Sequence, residues 1–135
     1  MAETPHTAER PLSPHLSIYS PLINMVMSIL HRITGGALYF GTLLLAAWLT
    51  SAAMGEQTYA MVNELFAHPL GKLVLFGYTW ALFHHMLGGI RHLIWDTGRG
   101  FEIWQVNLMS WLTIIGSVSL TLAAWGFALM LRGVF

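Results

Sequence analysis

Between Arg32 and Glu56 the chain carries no charged side chain, and the same holds between Lys72 and Arg91 and between Glu102 and Arg132. A bilayer core about 30 Å thick needs roughly 20 predominantly apolar residues to cross it as a helix. The first and third intervals meet that length. The second is shorter, and Pro69-Leu70 before it and Leu93-Ile94-Trp95 after it extend it to a span. Backbone in hydrocarbon must satisfy its own hydrogen bonds, and three segments cannot close a barrel, so all three are predicted to be α-helices. Expected spans are about 28–55, 69–95 and 104–131, in one transmembrane domain covering 1–135.

Composition narrows the choice further. Charged residues make up 9% of the 135 and apolar residues 56%, where a soluble domain carries about 25% charge. Six basic and six acidic residues balance to a net charge of +0, which leaves no basic stripe for nucleic acid. The absence of cysteine excludes disulfides, a Cys-ligated iron–sulfur cluster and a covalently attached c-type haem within the chain. Seven His and eight Met remain as candidate metal or haem ligands.

Residues 1–23 differ from the rest. Pro5, Pro11, Pro14 and Pro21 predict an irregular extramembrane segment, because proline lacks an N–H and restricts its predecessor. The segment has neither the apolar core of a secretory signal nor the Arg-rich, acid-poor character of a mitochondrial presequence, since Glu3 and Glu9 stand against Arg10 alone. A bacterial inner membrane is expected. Arg10, Arg32, Arg91 and Arg99 fall on one side of a three-span arrangement, and Lys72 and Arg132 on the other. The positive-inside rule then places the N-terminus in the cytoplasm.

Two clusters carry candidate chemistry. In Ser28-Ile29-Leu30-His31-Arg32-Ile33-Thr34-Gly35-Gly36, helical spacing aligns Ser28, Arg32, Gly35 and Gly36, with His31 beside them. A hydroxyl, a permanent cation and an imidazole thus meet near a membrane surface. The plainer alternative is an Arg that snorkels to the interface. In the second cluster, His85 and His92 lie seven apart on one helix face, with Gly88 and Gly89 between them. That pattern suits one half of a bis-His haem site, and it equally suits a His packed against a neighbouring helix. If both helices run straight, His31 and His85 are expected to differ in depth by roughly 10 Å. A second axial ligand is therefore expected from another chain. Arg91 and Asp96 are expected either to form a weak surface ion pair or to order water near a redox site. The third span holds Gly116, Ser117, Ser119 and Gly126, a small-residue face for helix packing.

Three motifs together resemble the cytochrome b membrane-anchor subunits of succinate dehydrogenase. They are Arg10-Pro11-Leu12-Ser13-Pro14-His15-Leu16-Ser17-Ile18-Tyr19, Ser28-Ile29-Leu30-His31-Arg32-Ile33-Thr34-Gly35, and His85-Met86-Leu87-Gly88-Gly89-Ile90-Arg91-His92-Leu93-Ile94-Trp95-Asp96. They occur in the family's order and cover about two-thirds of the chain, from Arg10 to about Gly100. The wording is closest to the alphaproteobacterial and mitochondrial branch. The resemblance implies an all-α membrane protein whose three helices complete a bundle with a sister membrane subunit. A flavoprotein subunit and an iron–sulfur subunit are the implied soluble partners. It implies one haem b shared with the sister subunit and ubiquinone as substrate. His85 is the implied axial ligand of the haem iron, and His31 and Arg32 meet the propionates. By the same resemblance Ser28, Ile29 and Arg32 would line the quinone site, and Asp96 is a candidate for proton supply. A fumarate reductase anchor has the same plan. A haem-free structural anchor and a His-based metal-ion or proton transporter are the remaining rivals.

Overall fold

A computed structural model describes residues 19–131. The expected irregular segment up to Ile18, which holds most of the first motif, and the terminal Arg132 lie outside the described residues. Four helices follow in order: α1 (Ile23–Met54), α2 (Glu56–Ala67), α3 (Pro69–Asp96) and α4 (Ile103–Leu131). Three of them, α1, α3 and α4, are long and apolar enough to cross a membrane. At 1.5 Å per residue, the 32 residues of α1 reach about 48 Å, well beyond the hydrocarbon thickness. The protein is an all-α membrane protein.

Helix α2 was not expected. It occupies the short stretch between the first two spans that holds Glu56 and Glu64. Gly55 makes the corner between α1 and α2 with φ of 115°, a region that residues with a Cβ seldom adopt. The α2–α3 corner is set by His68, whose Nδ1 accepts the Leu70 N–H at 3.3 Å, and by Pro69 in the first turn of α3, where its missing N–H costs nothing. The α3–α4 connection is closed by the Trp95 indole, which donates to the Gly100 carbonyl at 3.0 Å.

Helix α3 is central. It packs on α4 along one side and on α1 along the other, while α1 and α4 touch less. The interior is polar and the exterior apolar. Among the described residues only Met27 and Ala81 are buried hydrophobics. The buried polar residues include Thr34, Ser51, Ser110, Thr113, Ser117 and Thr121. Each of these hydroxyls donates to a carbonyl three or four residues earlier, as Thr34 does to Leu30 at 2.8 Å and Thr121 to Ser117 at 2.7 Å. Small self-satisfied side chains let helices approach closely where no water is available. Large apolar residues such as Ile29, Phe40, Leu93, Trp111 and Phe127 point outward, toward lipid or partner surfaces.

On α4 the packing face is Ser110, Thr113, Ser117 and Thr121, spaced three or four apart along one stripe. Of the four small residues expected there, Ser117 is on that face and Gly116 borders Leu87, whereas Ser119 is exposed and a Cβ on Gly126 would meet nothing. The difference arises because threonine hydroxyls bond back to their own helix and so pack like small apolar groups.

Candidate functional site

The site grows from a register match between two antiparallel helices. The imidazoles of His31 on α1 and His85 on α3 stack face to face, with centroids 4.0 Å apart and planes 6° from parallel. Each ring fills a notch left by a glycine on the opposite helix. A Cβ on Gly88 would lie 2.5 Å from His31 Nδ1, and one on Gly35 would lie 3.0 Å from His85 Cε1. The two His thus lie at one level, and the expected depth difference of roughly 10 Å is corrected. Its source is the start of α1. The helix begins at Ile23, so His31 lies two turns inside it rather than at its head.

The orientation of His85 bears on ligand chemistry. Its Nδ1 lies 3.2 Å from the His31 backbone carbonyl and 3.4 Å from Thr34 Oγ1. A carbonyl can only accept, so the proton of a neutral ring sits on Nδ1. That leaves Nε2 with a free lone pair, the arrangement by which metal-binding His side chains are oriented. Among the described residues Nε2 makes no hydrogen bond, and it is not one of the enclosed side-chain nitrogens. The donor chemistry therefore fits an axial haem ligand.

His92 continues the cluster outward, 5.0 Å from His31 and edge-on to Trp95 at 5.3 Å. His84, adjacent to His85 in sequence, faces a different way. It is 1% exposed, its Nδ1 is 3.3 Å from Ser117 Oγ on α4, and Trp80 lies against it at 5.1 Å. The neighbouring His thus serve two different interfaces, as the roughly 100° between successive helical residues requires.

Arg91 is the residue that sequence reasoning placed wrongly. The expected surface pair with Asp96 is not formed. Arg91 is 4% exposed. It donates to Ser110 Oγ at 3.1 Å, and that hydroxyl lies 3.0 Å from Asn24 Oδ1. Its guanidinium sits 5.0 Å above the Trp95 ring. One chain of polar contacts therefore ties α3, α4 and α1 together close to the His cluster. Asp96 is exposed at the last position of α3. Asn24 and Ser110 carried no signal, because neither belongs to a charge or His pattern.

Ser28, Ile29 and Arg32 project from α1 on its outer side. All three are exposed, with Ile29 at 57%. Residues 28, 29 and 32 share a face by spacing, and among the described residues no helix covers that face. It places a hydroxyl, an apolar wall and a cation within a turn of His31.

The interlocked notches yield a direct test. Gly88→Ala drives a methyl group into His31, and overpacking of this kind costs about 1–3 kcal/mol. Gly89→Ala meets nothing within 4 Å and should be neutral or stabilising by about 0.5–1 kcal/mol, since Ala is the better helix residue. Thermal unfolding of the detergent-purified protein should show a lowered Tm for the first variant only.

The family model described as "Succinate dehydrogenase/Fumarate reductase transmembrane subunit" matches residues 6–124. The chain is 42% identical over 117 residues to the "Succinate dehydrogenase cytochrome b556 subunit" of Rickettsia conorii, covering 87% of this chain and 91% of that one. It is 42% identical over 111 residues to the protein of the same name from Paracoccus denitrificans, covering 82% and 85%. Identity to the "Succinate dehydrogenase cytochrome b560 subunit, mitochondrial" of Bos taurus is 40% over 121 residues, covering 84% and 70%.

Proposed function

The chain belongs to the succinate dehydrogenase/fumarate reductase transmembrane subunit family, and from that premise we propose that it passes electrons from succinate oxidation to ubiquinone within an assembly of four subunits. A flavoprotein subunit, an iron–sulfur subunit and a second membrane subunit are its partners, in a bacterial inner membrane with the N-terminus cytoplasmic. The single observation that carries the reading is His85, held by a backbone carbonyl on Nδ1 with Nε2 left free, beside the helix that exposes Ser28, Ile29 and Arg32.

His85 Nε2 would hold the iron of one haem b shared with the sister subunit. His31 and Arg32 would neutralise its propionates, which would offset the cost of anions in a low-dielectric layer. The haem, when bound, would supply a one-electron redox centre. The other contributions come from this chain's own side chains. Ser28 and Arg32 donate hydrogen bonds to a quinone oxygen and stabilise the negative charge that builds on it as electrons arrive. Ile29 excludes water from one side of the ring. Arg32 keeps its proton throughout, so the two protons of quinol formation come from elsewhere. Asp96, exposed at the end of α3, is the candidate group in this chain that relays them from water.

The experiment is complementation. Membranes of a strain lacking the chain should have no succinate:ubiquinone reductase activity and regain it when the chain is restored. The restored complex should show a b-type band in a reduced-minus-oxidised spectrum. Restored activity without that band would leave the haem-free anchor as the correct reading.

A further inference from the structure

Arg91 carries a buried charge with no opposite charge facing it. It lies five residues before Asp96, the last residue of α3, near enough to the helix end for a long side chain to reach water. Instead it turns into the bundle, where its Nη1 donates to the Ser110 hydroxyl and its Nε is enclosed without a partner. The carboxylates among the described residues, Glu56, Glu64, Asp96 and Glu102, are all exposed. The guanidinium thus faces a neutral hydroxyl and the Trp95 ring. Arginine keeps its charge at any working pH. Burying a cation without a carboxylate to balance it is costly, and an ionisable residue held inside a membrane bundle at such cost marks function rather than packing.

The charge stands beside the His cluster. His84, Gly88 and Arg91 form one buried stripe of α3, and Gly88 is the residue on which His31 packs. The Trp95 ring lies 5.0 Å from the Arg91 guanidinium carbon and 5.3 Å from the His92 ring, which is itself 5.0 Å from His31. His85 precedes Arg91 by six residues on α3, or about 9 Å at the helical rise. Over such distances a buried charge acts through protein with little screening by water or salt.

We propose that Arg91 raises the reduction potential of the haem held by His85, acting through space as a fixed cation. The inference rests on the proposed reading of His85 as an axial ligand. One-electron reduction removes one positive charge from the iron site, and a nearby cation favours the less positive of the two states. Ser110, itself in contact with Asn24, and the Trp95 face hold the charge in place.

The test is a potentiometric titration of the b-type band in the purified, assembled complex. Ser110→Asp sets a carboxylate against Arg91 and should lower the ratio of reduced to oxidised haem about tenfold at a fixed potential, the effect of one unit charge roughly 10 Å away in protein. Ser110→Asn, of similar volume but uncharged, should keep the wild-type midpoint. Arg91→Gln should lower the ratio as Ser110→Asp does, whereas Arg91→Lys, which keeps the charge, should not. If one pair of variants does not assemble, the other decides alone. Equal midpoints in Ser110→Asp and Ser110→Asn, or equal shifts in Arg91→Gln and Arg91→Lys, would overturn the assignment while leaving the haem reading intact. A wild-type complex without a b-type band would overturn both.

Discussion

On the proposed reading, replacing His85 by Ala should remove the b-type absorption band from the assembled complex, while His84→Ala and His92→Ala should keep it. The expectation rests on which ring nitrogen is free. His85 Nδ1 is committed to the His31 carbonyl at 3.2 Å, so the lone pair is on Nε2. In His84 the assignment is different. Its Nδ1 faces Ser117 Oγ at 3.3 Å and its Nε2 is enclosed without a partner, so no planar ligand can reach it without parting α3 from α4. His84→Ala is therefore a packing variant, lowering stability by the few kcal/mol typical of a core truncation with the band still present. His92 is exposed and lies next to His31 rather than in the notch. Spectra recorded at matched amounts of assembled complex, checked by subunit immunoblot, separate ligand loss from assembly loss. A band kept in His85→Ala and lost in either of the others would move the ligand.

The stacked pair of rings was not legible in the sequence, and the cause is physical. Charge-free length and composition predict three apolar helices, since nothing else lets so few charges face so much lipid. The His-Gly pattern on α3 marks a groove. What fills the groove depends on the register between α1 and α3, and register depends on where α1 begins. No capping residue marks Ile23, whose preceding Leu22 makes no side-chain cap, so the start was set too late and His31 too shallow. Arg91 failed for a related reason. Spacing along α3 shows its neighbours on that helix, such as Asp96, but not Ser110, which comes from α4 nineteen residues on. Helix α2 was missed because two glutamates within twelve residues read as loop when apolar length is the only criterion, although a short helix lying at a membrane surface needs no long apolar run. Local pattern thus recovers elements, while the contacts between elements require their mutual placement.

Replacing Arg32 by Ala should lower succinate:ubiquinone reductase activity by about 10²–10³-fold, the usual cost of removing one donor aimed at developing negative charge. Succinate oxidation measured with a soluble electron acceptor should stay at the wild-type rate, because on the proposed reading that reaction ends on the soluble subunits. The contrast follows from position. Arg32 is exposed on α1 and makes no hydrogen bond among the described residues, so its loss leaves no orphaned partner among them and no cavity between the described helices. Arg32→Lys keeps the charge but loses the planar fork of donors and should fall between the two. Ser28→Ala, which removes a neutral donor from the same face, should cost less than Arg32→Ala, since hydrogen bonds from charged donors are roughly twice as strong. A b-type band retained in Arg32→Ala would show that the loss lies in quinone reduction rather than in assembly. Full quinone reductase activity in that variant would remove Arg32 from the site and leave it as an interfacial anchor.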